Sequence, residues 1–313
     1  MTKLIIQIPC YNEADTLPLT VRDLPRSIED VDTIEVLVID DGSTDGTADV
    51  ARELDVDHVI RLTKNKGLAV AFARGLEASL ELGADIIVNT DGDNQYRGEC
   101  IRDLVQPILK GEAEMVVGDR QIKTIQHFSA FKKVLQKLGS WIVRWASKTN
   151  VPDATSGFRA FSKEAALRLS VYSEYTYTLE TIIQAGKKGI SITSVPVETN
   201  EVLRESRLIH STFQYVIRSA ITITRIFLMY EALRVFLTLS VIPLLGGLFL
   251  LGRFTYYFLI GDGQGHIQSM IVATILIVLG FLTILIGLLS DLIARNRTLG
   301  EDANYRLKKM DIR

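Results

Sequence analysis

Over roughly the first two hundred positions, short apolar runs alternate with longer mixed stretches, and most of the runs end in polar or acidic residues. Lys3–Pro9, Ile34–Ile39, His58–Leu62, Ala84–Val88, Met115–Gly118 and Ile192–Val197 read as strands, because each is brief, rich in β-branched residues and bounded by turn formers. Helical patterns lie between them: one entered near Asp15-Thr16, one capped by the Ser/Thr/Asp residues of Asp40–Thr47, one over Ala69–Leu82 and one over Lys163–Leu169. Val151–Phe161 reads as a loop. Strands and helices alternating in this way predict an α/β fold, a mostly parallel doubly wound sheet flanked by helices. Its ligand crevice lies at the carboxyl ends of the strands.

The pattern changes near residue 233. Val235–Gly252 is 18 residues without a charge and Met270–Ser290 is 21, long enough to cross a hydrocarbon core of about 30 Å. Two transmembrane helices are expected, at about 235–259 and 268–290. Pro243 and Gly246-Gly247 are tolerated in such helices, and Arg253 ends the first span or snorkels beside the aromatic residues 254–257. Arg218, Arg225 and Arg234 precede the pair and Arg295, Arg297, Arg306, Lys308 and Lys309 follow it, so the positive-inside rule puts both termini in the cytoplasm. Residues 1–210 then form a cytosolic domain and 211–233 a juxtamembrane amphipathic helix, with Arg218 and Arg225 toward lipid headgroups or a lipid phosphate. The short, quickly interrupted apolar run at the N-terminus is no signal peptide. Phe128–Lys148 has an apolar stripe (Phe128, Phe131, Leu135, Leu138, Ile142, Trp145) and a basic one, which fits a helix in the membrane interface or one packed on the sheet.

Composition removes some alternatives. With 313 residues, 47% of them hydrophobic, and a net charge of −2, the chain carries no global signal for nucleic acid. Cys10 and Cys100 form no paired framework and read as small buried residues in a reducing compartment. None of His58, His127, His210 and His266 has a partner at metal-binding spacing. The chemistry gathers instead after the fourth strand, at Asp91-Gly92-Asp93-Asn94-Gln95-Tyr96. Two carboxylates and an amide are hard oxygen donors suited to Mg²⁺ or Mn²⁺, and so few protein ligands leave positions open for the phosphates of a nucleotide diphosphate. Taken alone, Asp-Gly-Asp also reads as an acidic solvated loop. Arg204 and Arg207, three apart in a loop leaving the last strand, either close over a diphosphate or are surface residues.

In order along the chain stand Pro9-x-Tyr11-Asn12-Glu13, Val38-Ile39-Asp40-Asp41-Gly42-Ser43-x-Asp45-x-Thr47, Asn65-x-Gly67, Asp91-x-Asp93-x-Gln95 and Ser156-Gly157-Phe158-Arg159. This series resembles glycosyltransferase family 2. With two C-terminal spans, the whole looks like the polyprenyl-phosphate glycosyltransferases, the group of dolichyl-phosphate mannose synthase and the undecaprenyl-phosphate glucosyltransferases. The resemblance implies a GT-A (Rossmann-like) domain that moves a sugar from a UDP- or GDP-sugar to a polyprenyl phosphate at the cytosolic membrane face. It implies that Pro9, Tyr11, Glu13 and Asp41 line the base and ribose pocket, that Asp91 sits beside ribose and metal, and that Asp93 and Gln95 are direct ligands of the ion. Arg120 would approach the phosphates, where a guanidinium fork suits paired oxyanions; Asp119 departs from the Gly-Ser-Arg of many relatives. Lys132, Lys133 and Ser140 become candidates for the acceptor phosphate. Asp153 is a base, a positioning group or a turn residue, and positioning is favoured because a phosphate monoester is already anionic. Glu180 braces the acceptor side or caps a helix. Family members occur as monomers and tetramers, so a homo-oligomer is compatible. A processive polysaccharide synthase is disfavoured by the lack of Gln-x-x-Arg-Trp and of further spans, and a non-catalytic scaffold by the retained carboxylates.

Overall fold

The computed structural model describes residues 1–121, 144, 147, 149–171, 177–200, 212–261 and 264–311. They comprise two compact units, Met1–Ile223 with Asn304–Arg313, and Thr224–Ala303. The first unit is built on seven strands: β1 (Lys3–Cys10), β2 (Thr33–Asp40), β3 (His58–Arg61), β4 (Ile86–Asn89), β5 (Met115–Asp119), β6 (Arg159–Ser162) and β7 (Ile192–Pro196). Its helices are α1 (Leu17–Asp23), α2 (Thr47–Glu53), α3 (Leu68–Glu81), α4 (Ile101–Leu109), α5 (Lys163–Arg168) and α6 (Thr178–Lys188).

The sheet order is β3-β2-β1-β4-β6-β5-β7. β1 pairs in parallel with β2 and β4, β2 with β3, and β5 with β7. β6 runs antiparallel between β4 and β5, with Asn89 opposite Arg159 and Val117 opposite Arg159. Leu4, Ile5, Ile6 and Ile8 are fully buried, as expected of a strand covered on both faces. Alternate residues of β1 and β2 join Leu17, Val21, Leu104 and Val105 in one core cluster, whereas Gln7 and Ile39 lie against α3 at Gly75.

β6 corrects the expectation of a loop up to Phe161. Because this strand opposes its neighbours, the loop that leads into it arrives at the edge where β1, β2, β4 and β5 end. The cap of α2 is also corrected. It is Gly46, in the left-handed region at φ 88°, with no side-chain cap, while Asp45 Oδ1 accepts from Thr47 N at 3.0 Å.

Beyond the sheet, α7 (Thr212–Ile260) is broken at Glu231, whose φ of −132° is non-helical, and α8 (Ile267–Asp311) contains the second expected span, 268–290, and continues as helix beyond it. Glu231–Ile260 and α8 are each long and apolar enough to cross a membrane. Within the second unit they pack closely through small residues: Gly247 lies against Ala273 and Ile277, Gly280 against Leu244, and Gly287 against Phe236. The last turns of α8 belong to the first unit, where the Tyr305 hydroxyl donates to Glu164 at 2.7 Å and Lys308 stands 3.8 Å from Glu77. The expected interface helix falls mostly, and Arg204 and Arg207 entirely, outside the described residues; so do the side chains of Arg218 and Arg225.

Gly42 occupies the turn after β2 with φ +70°, and a Cβ there would meet the backbone of Lys64 at 2.5 Å and Asn65 at 2.7 Å. Gly42→Ala is expected to cost about 1–3 kcal/mol, read as a lowered unfolding midpoint of the purified protein, whereas Ala at Gly46, which faces open space, costs less.

Candidate active site

The loop after β1 is fastened to the loop after β2 by reciprocal hydrogen bonds. Asn12 N donates to Ser43 Oγ at 2.8 Å, Thr44 N to Asn12 Oδ1 at 2.9 Å, Glu13 N to Thr47 Oγ1 at 2.9 Å and Ala14 N to Asp45 Oδ2 at 3.0 Å. The Ser-x-Asp-x-Thr residues of this motif therefore fix the path that carries Tyr11 and Glu13. Asp41 accepts from Lys66 N and Gly67 N, both at 2.8 Å, and so draws the α3 entry loop to the same edge. Burial raises its carboxyl pKa, which those two amides oppose. Pro9 is buried within β1, while Tyr11 is 39% exposed.

The Asp91–Tyr96 turn sits beside this pair. Thr16, the N-cap of α1, and Thr20, one turn further on, both reach Gly92 O through their hydroxyls, at 2.8 and 3.2 Å, and Thr16 Oγ1 also lies 2.7 Å from Glu13 Oε2, its single proton shared between the two acceptors. Asp93 Oδ1 accepts from Gln95 N at 3.2 Å, which closes the turn around Asn94 at φ 55°. On the other side, a Cβ on Gly157 would lie 3.2 Å from both Asp91 oxygens and 2.9 Å from the Tyr177 hydroxyl, so the glycine lets both side chains pack against its backbone. Gly157 is held in turn by Asn89 Nδ2, which donates to its carbonyl at 2.9 Å, and by Tyr96, whose hydroxyl accepts from its N–H at 3.3 Å. Burial pushes the Tyr96 phenol up to about 12, so it stays protonated.

Arg120, at the end of β5, forms a fork with Asp153: Nε donates to Oδ2 at 2.7 Å and Nη2 to Oδ1 at 3.1 Å, with Nη2 also donating to Thr155 Oγ1 at 2.8 Å. Asp153 is fully buried. Burial pushes its carboxyl up, but the Arg120 charge and hydrogen bonds more than reverse this and hold it below the usual carboxylate range. An acid so placed is a poor base and a firm support for Arg120. Arg159 of the Ser-Gly-Phe-Arg motif is no ligand group. Fully buried, it donates to the carbonyls of Ser156, Ala154 and Thr178 and to the Thr181 hydroxyl at 2.6–2.9 Å, clamping the loop that carries Asp153. Burial lowers its pKa to about 10, so it remains a cation. Glu180 is buried in the first turn of α6 and accepts from Gln184 Nε2 at 3.2 Å.

The oxygen donors fit a divalent cation only as a partial set. The buried Cys10 thiol is raised well above its ordinary pKa by burial, then by the nearby charges of Glu13, Asp40, Asp91 and Asp93, which marks an edge rich in negative charge. Asn94 Oδ1 is a buried acceptor with no hydrogen-bond partner among the described residues. No three His, Cys, Asp or Glu side chains among those residues converge on one metal position. Asp91, Asp93 and Gln95 share this turn and could hold an ion whose remaining positions are filled by other oxygens. Lys132, Lys133, Ser140, Arg204 and Arg207 lie outside the described residues. Thr16, Thr20, Asn89, Thr155 and Tyr177 were not singled out by the pattern; the one legible signal was the spacing of Thr16 and Thr20 by a helical turn beside a run of motif residues.

The model of the family described as Glycosyl transferase family 2 matches residues 5–170, more than half of the chain. The chain belongs to glycosyl transferase family 2. Among similar members, the polyprenol monophosphomannose synthase of Mycolicibacterium smegmatis is 28% identical over 64% of this chain and 78% of its own length. The UDP-N-acetylglucosamine–dolichyl-phosphate N-acetylglucosaminyltransferase of Methanococcus voltae is 34% identical over 61% of this chain and 83% of its own. The fold is shared with glucosyl-3-phosphoglycerate synthase from Mycobacterium tuberculosis, solved with Mn²⁺ and UDP, at a TM-score of 0.56 and 21% identity over 71% of this chain and 80% of that one. In this family 2 chain the motif residues that resolve into distinct jobs are Asp41 and Asp45, which brace loops, and Arg159, which braces the Asp153 segment.

The lowered pKa of Asp153 has a defined consequence for pH. Stability from a depressed carboxyl is present above its unfolded value of about 3.9 and is lost only as pH falls through the lower folded value. The Arg120–Asp153 pair therefore stays intact from pH 5 to 8. Asp153→Asn is expected to reduce turnover by about 10²-fold without moving the acid limb of a kcat/KM profile; a limb that disappears in the variant would assign Asp153 as the titrating base.

Proposed function

We propose that this family 2 member is a membrane-bound inverting glycosyltransferase, moving a sugar from a UDP- or GDP-sugar to a polyprenyl phosphate. The observation that carries the reading is the gathering of loops at one sheet edge. They bring Glu13, Asp41, the Asp91–Gln95 turn and the Arg120–Asp153 fork together, in a chain that also has two helices long and apolar enough to cross a membrane. Similar proteins named as polyprenyl-phosphate mannosyl and N-acetylglucosaminyl transferases support the acceptor class.

Pro9, Tyr11, Glu13 and Asp41 would line the base and ribose pocket, with Asp91 at the ribose. Asp91, Asp93 and Gln95 would hold Mg²⁺ or Mn²⁺, which when bound neutralises diphosphate charge. Arg120 keeps its Nη1 donors outside the Asp153 and Thr155 bonds and can direct them at a phosphate oxygen. An oxygen of the lipid phosphate attacks the anomeric carbon while the bond to the nucleoside diphosphate breaks on the opposite face, inverting configuration. The acceptor, with a second pKa of about 6, needs no base near neutrality, which agrees with an Asp153 committed to Arg120. Lys132, Lys133 and Ser140 for the acceptor phosphate, and Arg204 with Arg207 for the diphosphate, complete the proposal. The basic residues flanking the two spans favour a catalytic domain and termini in the cytoplasm.

Full-length protein given UDP- and GDP-sugars with polyprenyl phosphate should form a lipid-linked monosaccharide. EDTA should abolish it, Mn²⁺ or Mg²⁺ should restore it, and Asp93→Ala should lower it by about 10²-fold or more. Product that persists in EDTA would remove the metal role, and no product from any donor would favour a non-catalytic scaffold.

A further inference from the structure

After β7 the chain does not leave the site edge. Val197 N donates to Asp119 O at 2.9 Å, beside Arg120, and Thr199 forms an antiparallel bridge with Tyr96. Glu198 pairs with Arg97. Asn200 then makes two bonds to successive peptides of the acidic turn: its backbone N–H donates to Gln95 O at 2.8 Å and its Nδ2 to Asn94 O at 3.0 Å.

A single residue that grips the carbonyls of positions 94 and 95 restricts the peptide planes on both sides of Gln95 Cα. It thereby restricts where the Gln95 side chain leaves the backbone. Asn94 itself sits at φ 55°, in the left-handed region that asparagine enters more readily than other side-chain-bearing residues, so the turn forms locally and Asn200 adds the restraint on the two peptides that flank Gln95. Of the two donors the backbone N–H would survive any substitution except proline. The Nδ2 bond depends on asparagine.

We infer that Asn200 is a positioning residue for the cation turn, aiming the Gln95 side-chain oxygen by clamping the Asn94 and Gln95 carbonyls. The inference rests on the metal role given to Gln95 in the proposed function. It adds a residue from outside the acidic motif, delivered by the segment that follows the strand beside β5.

The test is Mn²⁺ binding followed by electron paramagnetic resonance on detergent-purified full-length protein, with UDP and GDP in parallel arms. Nucleotide affinity without metal and the unfolding midpoint are measured alongside. Asn200→Ala, and Asn200→Leu as the variant that keeps the shape, are each expected to weaken Mn²⁺ binding about three- to tenfold, the loss of one neutral hydrogen bond. Metal-free nucleotide affinity should not change. Wild-type Mn²⁺ affinity in either folded variant overturns the inference, however far the unfolding midpoint moves. Gln95→Ala separates the two levels: if it binds Mn²⁺ as wild type does, Gln95 is not a ligand and the inference falls while the transferase reading stands on Asp91 and Asp93. If wild type binds no Mn²⁺ with either nucleotide, the metal reading and the inference fail together.

Discussion

A carboxylate sealed from water is tolerated only with a cation and further donors beside it. At Asp153 that condition organises the site. Its partner Arg120 comes from β5 and Asp153 from the loop ahead of β6, so the fork can form only if β6 runs against its neighbours and brings its leading loop to the edge where the others end. The antiparallel strand is thus a requirement of the site as well as a feature of the sheet. Arg159, the first residue of β6, reinforces it by tying the carbonyls of Ala154 and Ser156 to the start of α6.

Two kinds of acid stand at this edge, and their surroundings separate them. Asp41, Asp45 and Asp153 spend their oxygens on backbone amides, hydroxyls or a guanidinium and hold the loops in place. Asp91 and Asp93 lie in a turn whose backbone is braced from outside: Thr16 and Thr20 hold Gly92 O, and Asn200 holds the two carbonyls that follow Asp93. Bracing this turn through its peptides fixes its path from α1 on one side and from the segment after β7 on the other.

Much of this was legible from the sequence because long apolar runs and acid-bearing strand ends are local signals. β1 to β5 and β7 fall where the apolar runs placed them, and the loops after β1, β2 and β4 are hydrogen-bonded into one edge. β6 was not legible. It has four residues, begins with a charged one and follows Ser156-Gly157-Phe158, so a local reading returns a loop; the strand is made by antiparallel pairing with β4 and β5, and Arg159 can be buried there because carbonyls and the Thr181 hydroxyl take its donors. The helix that carries the second apolar run is longer than the run for a related reason. The lipid-compatible run stops near residue 290, but α8 continues on i to i+4 pairs such as Arg295–Asp291 and Arg297–Glu301 and on contacts of its last turns with α3 and α5. Asn200 carries no sequence signal, since its role is set by what β7 passes on leaving the sheet.

The committed state of Asp153 also limits what chemistry the edge can perform. A sugar acceptor with a neutral hydroxyl needs a base within reach, and the buried acid nearest Arg120 is unavailable for that duty while the fork is intact. A nucleophile that arrives already anionic has no such requirement; it needs the departing diphosphate charge to be met and its own approach to be fixed. The same arginine that disqualifies Asp153 as a base keeps its Nη1 donors outside the fork. Site electrostatics and a phosphate acceptor are therefore consistent, which gives the lipid-phosphate reading a ground in the chemistry of this edge separate from the two apolar helices.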